Sequence, residues 1–180
     1  MQSVAYDIPP PAAPPVRAYV CLGSNSASAA AVLRQAVAAL TALPDMCMGA
    51  RSPVYYTEPQ GLRDQPWFHN QVVELLPGSS WRPAALMDAL LAMEASLGRV
   101  RSADPALRFG PRVIGADLLL FGKEQSDDPH CILPHPRLTE RAFVLVPLRD
   151  VAADICIDGH GLPWWLSRLS YRCEGKRIFQ

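Results

Sequence analysis

The chain has 180 residues, 49% hydrophobic and 19% charged, and its 17 basic and 17 acidic side chains cancel at neutral pH. This length favours one domain with a real core, and zero net charge argues against a dedicated nucleic-acid binder, which carries a basic excess. No apolar run nears the ~20 residues of a membrane span, no signal pattern opens the chain, and five cysteines without a CxxC pair give no zinc or disulfide framework.

The expectation is a cytoplasmic monomer that acts on small molecules, with neither nucleic acid nor membrane as partner. Residues 1–16 hold Pro9, Pro10, Pro11, Pro14 and Pro15. Proline fixes φ and lacks an N–H, so this stretch is expected as a disordered tail, followed by a single domain over 17–180.

A buried strand is expected over 18–22, turned by Gly23-Ser24-Asn25. Ser28 is placed to cap a helix over 28–43, with Val32, Leu33, Ala36, Val37 and Leu40 on one stripe. A strand follows over 47–57, then a loop over 58–66 that contains Pro59, Gly61 and Pro66, then a strand over 67–76. Pro83 suits a first helical turn, Leu86, Leu90, Met93 and Leu97 continue an apolar face, and Gly98 ends the helix. An arginine-rich loop spans 99–112 and an apolar strand 113–121. A turn over 122–128, a short helix over 137–141, an apolar run over 143–148 and an amphipathic helix over 162–171 complete the pattern. The hairpin-like pieces do not suit a fully parallel sheet. The class is α+β: an antiparallel or mixed sheet covered by helices.

Two features point to chemistry. Arg99, Arg101, Arg108 and Arg112 fall within fourteen residues of a neutral protein. Guanidinium forks match phosphate oxygens; the alternative is a solvated basic loop. Asp117 is a lone carboxylate in the run Val113-Ile114-Gly115-Ala116-Asp117-Leu118-Leu119-Leu120-Phe121, where an unpaired charge is costly. Magnesium would compensate it, being commonly shared between carboxylates and substrate phosphates; the alternative is a pairing with a nearby arginine.

The order Gly23-Ser24-Asn25, Phe68-His69-Asn70, Gly98-Arg99-Val100-Arg101, Arg108-Phe109-Gly110-Pro111-Arg112, Asp117-Leu118-Leu119-Leu120-Phe121-Gly122, Pro134-His135-Pro136-Arg137 and Arg141-Ala142-Phe143-Val144-Leu145-Val146-Pro147-Leu148 resembles the 6-hydroxymethyl-7,8-dihydropterin pyrophosphokinase family. The resemblance runs from about residue 17 to 161. It implies a ferredoxin-like core in a three-layer αβα arrangement, and transfer of pyrophosphate from ATP to a pterin alcohol in folate synthesis, with two Mg2+ ions.

By the same resemblance, Asn70, Phe68 and Phe143 would hold the pterin, with Thr57, Glu58, Pro59 and Gln60 beside it. Glu94, Arg101, Arg108, Phe109, Leu118, His135 and Arg141 would meet the nucleotide. Arg99, Arg112 and Asp117 would be catalytic, with Asp117 holding metal. From the residues alone, Glu94 reads as a surface helix glutamate and either phenylalanine as core. One departure stands out. The family carries an Asp-x-Asp pair on the metal strand, and here the first member is Gly115. Loss of that ligand weakens at least one metal site. It leaves open a catalytically inactive member that binds pterin or nucleotide without turnover.

Overall fold

A computed structural model describes residues 14–100 and 110–180. Most of the proline-rich tail, residues 1–13, lies outside the described residues, as do Arg101, Arg108 and Phe109 of the arginine loop.

Alternation in the first strand sets up the layers. In β1 (Ala18–Ser24), Ala18, Val20 and Leu22 face one way, while Tyr19 and Cys21 face the other. Successive strand side chains point to opposite faces, so both sides of β1 need cover. One side receives α1 (Ala29–Thr41) and α2 (Pro83–Ser96), through Val32, Leu33, Ala36, Leu40, Leu86, Leu90 and Met93. The other receives α3 (Ala142–Val151) and α4 (Leu162–Leu166), through Val144, Leu145, Leu148, Leu162 and Leu166. This is the expected three-layer arrangement.

The remaining main-sheet strands are β2 (Met46–Arg51), β3 (Tyr55–Thr57), β4 (Phe68–Pro77), β5 (Gly115–Phe121), β8 (Arg172–Glu174) and β9 (Arg177–Phe179). β6 (Cys156–Ile157) and β7 (His160–Gly161) form a separate small ribbon. The main order is β5-β1-β4-β3-β9-β8, with β2 also on β4. Each neighbouring pair in β5-β1-β4-β3 is antiparallel, which is the ferredoxin-like order for a β-α-β-β-α-β chain. The β3–β9 pair is parallel.

Several boundaries differ from the sequence reading. The strand expected over 47–57 is two strands, because the Ser52 side chain turns the chain: its Oγ donates to the Pro53 carbonyl and accepts from the Val72 N–H. Ser28 precedes α1, but its hydroxyl caps nothing; at ψ 24° it is not in the extended conformation a capping side chain needs. The short helix over 137–141 is a single 3-10 turn, Leu138–Glu140. The apolar run after it is a true helix, α3, despite Pro147 inside it. α4 stops at Leu166, where the Ser167 hydroxyl bonds the Trp164 carbonyl and competes with the helix ladder. Residues 167–171, expected as the end of that helix, are irregular, and the β8–β9 hairpin follows them.

Behind β1 sits a buried carboxylate. Glu74 accepts from Tyr19 Oη at 3.1 Å, Ala50 N–H at 2.9 Å and the solvent-facing Arg17 at 2.8 Å. Glu74→Ala is expected to destabilise the fold by about 1–2 kcal/mol, since the buried Tyr19 hydroxyl loses its acceptor, while the exposed Ala50 and Arg17 can turn to water. Urea denaturation measures this; a change below about 0.5 kcal/mol would show that water replaces the carboxylate.

Candidate active site

The ends of β1, β4 and β5, the loop after β3 and the start of α3 enclose a cavity of about 600 Å3. Thr57, Glu58, Gln60, Phe68, Asn70, Arg99, Arg112, Asp117, His135, Arg141 and Phe143 all line it. Each was a candidate from sequence.

Asn70 sits third in β4, on the inward face. Its Nδ2 donates to Thr57 Oγ1 at 2.6 Å, and both side chains are buried. Asn70 Oδ1 lies over Gly23, where a Cβ would approach it to 2.4 Å. Glycine is therefore required at 23 for the carboxamide to fit. Phe68 and Phe143 flank this corner, each with a guanidinium over its ring: Arg112 at 5.4 Å and Arg141 at 5.4 Å. A buried amide beside two aromatic faces suits a flat heterocycle with a mixed donor and acceptor edge.

The other half of the cavity is basic. Among the described lining residues, Arg99, Arg112, Arg137 and Arg141 face two carboxylates, Glu58 and Asp117, leaving two positive charges in a neutral protein. Such a basic cleft favours a polyanion.

Asp117 pairs with Arg141 at 3.3 Å, as the arginine alternative foresaw, yet its side chain remains 42% exposed to the cavity. It keeps room for a cation. Among the described residues no group of three His, Cys, Asp or Glu could hold a metal by itself. What the chain offers is one carboxylate, which fits magnesium delivered with phosphates and waters better than a closed protein cage.

His135 is anchored by its N–H to the Leu119 carbonyl at 3.0 Å. Its Nδ1 accepts the Arg137 N–H at 3.1 Å. Burial lowers the imidazole below its ordinary value; Asp117 partly restores it and Arg137 opposes it. The ring is thus neutral near pH 7, with its proton on Nε2. Burial also pushes the Cys21 thiol on the cavity floor well up, Asp117 adding to the effect, so it stays protonated and unreactive.

Three candidates do not reach the cavity. Leu118 points into the α1–α2 core layer, because its position in β5 alternates with Asp117. Pro59 is buried within its loop. Glu94 is neither a surface residue nor a wall. It is 1% exposed, and its carboxylate accepts the Ala116 N–H at 2.7 Å and pairs with the Arg99 guanidinium. It fastens α2 to β5 and to the base of the arginine loop.

Sequence reasoning gave no role to Asn25. Its Oδ1 accepts the Arg112 N–H at 2.8 Å, and its Nδ2 donates to Gln65 Oε1 at 3.0 Å and the Pro66 carbonyl at 3.1 Å. One side chain braces both loops of the site. The Gly-Ser-Asn fragment was the available signal, but the partners of Asn25, two backbone groups and the Gln65 side chain, lie far along the chain. Asn25→Ala is expected to lose about 1–2 kcal/mol, because the part-buried Arg112 N–H loses its acceptor and the Gln65 and Pro66 oxygens lose their donor, and to weaken binding in both halves of the cavity. Denaturation together with ligand titration checks this, and unchanged affinities would remove the brace.

The fold and the site fit a class: an α+β group-transfer enzyme with a basic cleft beside an aromatic-walled corner. A family model of 7,8-dihydro-6-hydroxymethylpterin-pyrophosphokinase (HPPK) matches residues 19–153. The chain is 43% identical over 153 residues to the 2-amino-4-hydroxy-6-hydroxymethyldihydropteridine pyrophosphokinase of Methylorubrum extorquens, covering 85% of this chain and 93% of that one. It is 43% identical over 148 residues to the enzyme of that name from Pseudomonas aeruginosa, covering 82% and 88%. Its fold is similar to a crystal structure of Plasmodium falciparum HPPK-DHPS, with a TM-score of 0.59 at 11% identity, covering 86% of this chain and 43% of that longer one. That likeness is one of fold, and this chain spans less than half of the solved protein. The chain belongs to the HPPK family, whose members are ATP-dependent pyrophosphokinases.

Proposed function

We propose that this chain transfers the terminal diphosphate of ATP to the hydroxymethyl oxygen of 6-hydroxymethyl-7,8-dihydropterin, releasing AMP. The observation that carries the reading is a single cavity that joins the Asn70–Thr57 corner, two phenylalanine faces, four arginines and the half-open Asp117.

In this reading Asn70 and Thr57 hold the polar edge of the pterin, and Phe68 and Phe143 wall its faces. The arginines spread the phosphate charge, and neutral His135 donates from Nε2 to a phosphate oxygen. The hydroxymethyl oxygen attacks the β-phosphorus in line. The bond from that phosphorus to the α,β-bridging oxygen breaks, AMP leaves with the electron pair, and the hydroxyl proton passes to water. Such transfers depend on positioning and charge stabilisation, and no protein nucleophile is needed. Asp117 would hold Mg2+, which when bound neutralises phosphate charge and favours ionisation of the hydroxyl.

A second reading is favoured by Gly115, which offers no carboxylate at the other metal-strand position: the site captures pterin and nucleotide without turnover. An assay for AMP with ATP, Mg2+ and the pterin alcohol separates the two. AMP that depends on the pterin supports transfer. Tight pterin binding without AMP supports capture, and no pterin binding at all ends both.

A further inference from the structure

One carboxamide ties three parts of the cavity wall together. Gln180, directly after β9, accepts at Oε1 from Gln60 Nε2 at 2.8 Å and from the Ala142 backbone N–H at 2.8 Å. Its Nε2 donates to the Glu140 carbonyl at 2.8 Å. Ala142 opens α3, and that helix has no side-chain cap of its own. First-turn amides are orphan donors, normally met by the residue just before the helix. Here the acceptor comes from 38 residues further along the chain.

The placement matters because Ala142 stands between Arg141 and Phe143. Both of those line the cavity, as does Gln60. The hairpin carrying Gln180 is itself fixed. β9 pairs with β3, the Glu58 N–H donates to the Ile178 carbonyl at 3.0 Å, and Ile178 is buried in the α3-side core. The other half of the cavity has separate supports. Arg99 is held by Glu94, the Arg112 backbone by Asn25 and the His135 amide by the Leu119 carbonyl. Gln180 touches none of them.

We propose that Gln180 is a positioning residue for the planar-ligand half of the cavity. It caps α3 from a distance and bonds Gln60 across the gap, so that Gln60 and Phe143 are held as facing walls. This rests on the reading that the pterin alcohol occupies that half. Loss of the carboxamide frees the Gln60 side chain and the first turn of α3, and the ligand must then order them itself on binding.

The test is titration of two ligands against the whole chain: α,β-methylene ATP alone, then the pterin alcohol at saturating α,β-methylene ATP. The proteins are the unaltered chain, Gln180→Ala, Gln60→Ala, the double variant and Gln180→Glu. For Gln180→Ala the pterin Kd rises about tenfold, while the nucleotide Kd stays within about twofold and the thermal midpoint falls by only about 2–4 °C, as for the loss of one helix cap. The double variant weakens pterin binding by less than the product of the two single effects, as for residues in contact. Gln180→Glu falls between, because it keeps both acceptor contacts and loses the donor to Glu140.

An unchanged pterin Kd in Gln180→Ala overturns the proposal. So does equal weakening of both ligands with a larger fall in midpoint, the signature of a purely structural role. If the unaltered chain binds no pterin, the proposed function fails and this inference with it. If the unaltered chain binds pterin and only the Gln180 effect is missing, the inference alone fails.

Discussion

Asp117→Ala is expected to lower the rate of AMP release about a thousandfold, a barrier rise of about 4 kcal/mol, while leaving the fold intact. The rate loss follows from position. Asp117 is the carboxylate of β5 that opens on the cavity, and the reading gives it the magnesium that neutralises the phosphates. The intact fold follows from its surroundings. Its pair with Arg141 is one 3.3 Å contact at a carboxylate 42% exposed. Half-exposed pairs contribute at most about 1 kcal/mol. Single-turnover AMP release and the thermal midpoint, read together, test both halves. Turnover within tenfold of the unaltered chain would remove Asp117 from the mechanism. A large fall in midpoint would make its role structural.

Gly115→Asp is expected to raise turnover tenfold or more, equivalent to about 1.4 kcal/mol or above. Gly115 is adjacent to Asp117 on the same face of β5, since residues two apart share a side. A Cβ at 115 would lie 3.3 Å from Arg112 Cδ, 3.4 Å from Arg112 Nη1 and 3.5 Å from Arg99 Nη1. Those contacts are tight, but the neighbours are the flexible ends of long side chains, and the backbone there is not left-handed. The new carboxylate would meet two guanidiniums and a second oxygen ligand would face the cavity. Gly115→Asn is the control, adding the same bulk without the charge. A gain with Asp and none with Asn makes the missing carboxylate the limit on rate. Equal or lower activity with Asp would mean that this chain has settled on a different charge balance.

The parts of this molecule legible in its sequence are those where local pattern decides structure. The α1 stripe, Pro83 at the start of α2, Gly98 at φ +90° after it, and the apolar run broken by Asp117 all announce themselves. The arginine cluster and Asn70 could be read as site residues because their types are unusual in their settings. Partners chosen by tertiary structure were not legible. Glu94 looked like a surface glutamate because two of its partners, the Ala116 N–H and the Arg99 guanidinium, are brought to it by the packing of α2 against β5, which no residue letter reveals. The β8–β9 hairpin was hidden because its register is set by β3, more than a hundred residues earlier. α3 was read only as an apolar run, since six successive apolar residues over 143–148 do not by themselves tell a buried helix from a buried strand.

Glu94 has a wider consequence. One hidden carboxylate is the rivet between the outer helix α2, strand β5 and the first arginine of the loop. A twist of α2 by a fraction of an ångström would slacken Arg99 and the strand beneath it at once. A compound wedged against the outside of that helix could therefore silence the enzyme without ever competing with nucleotide for its seat.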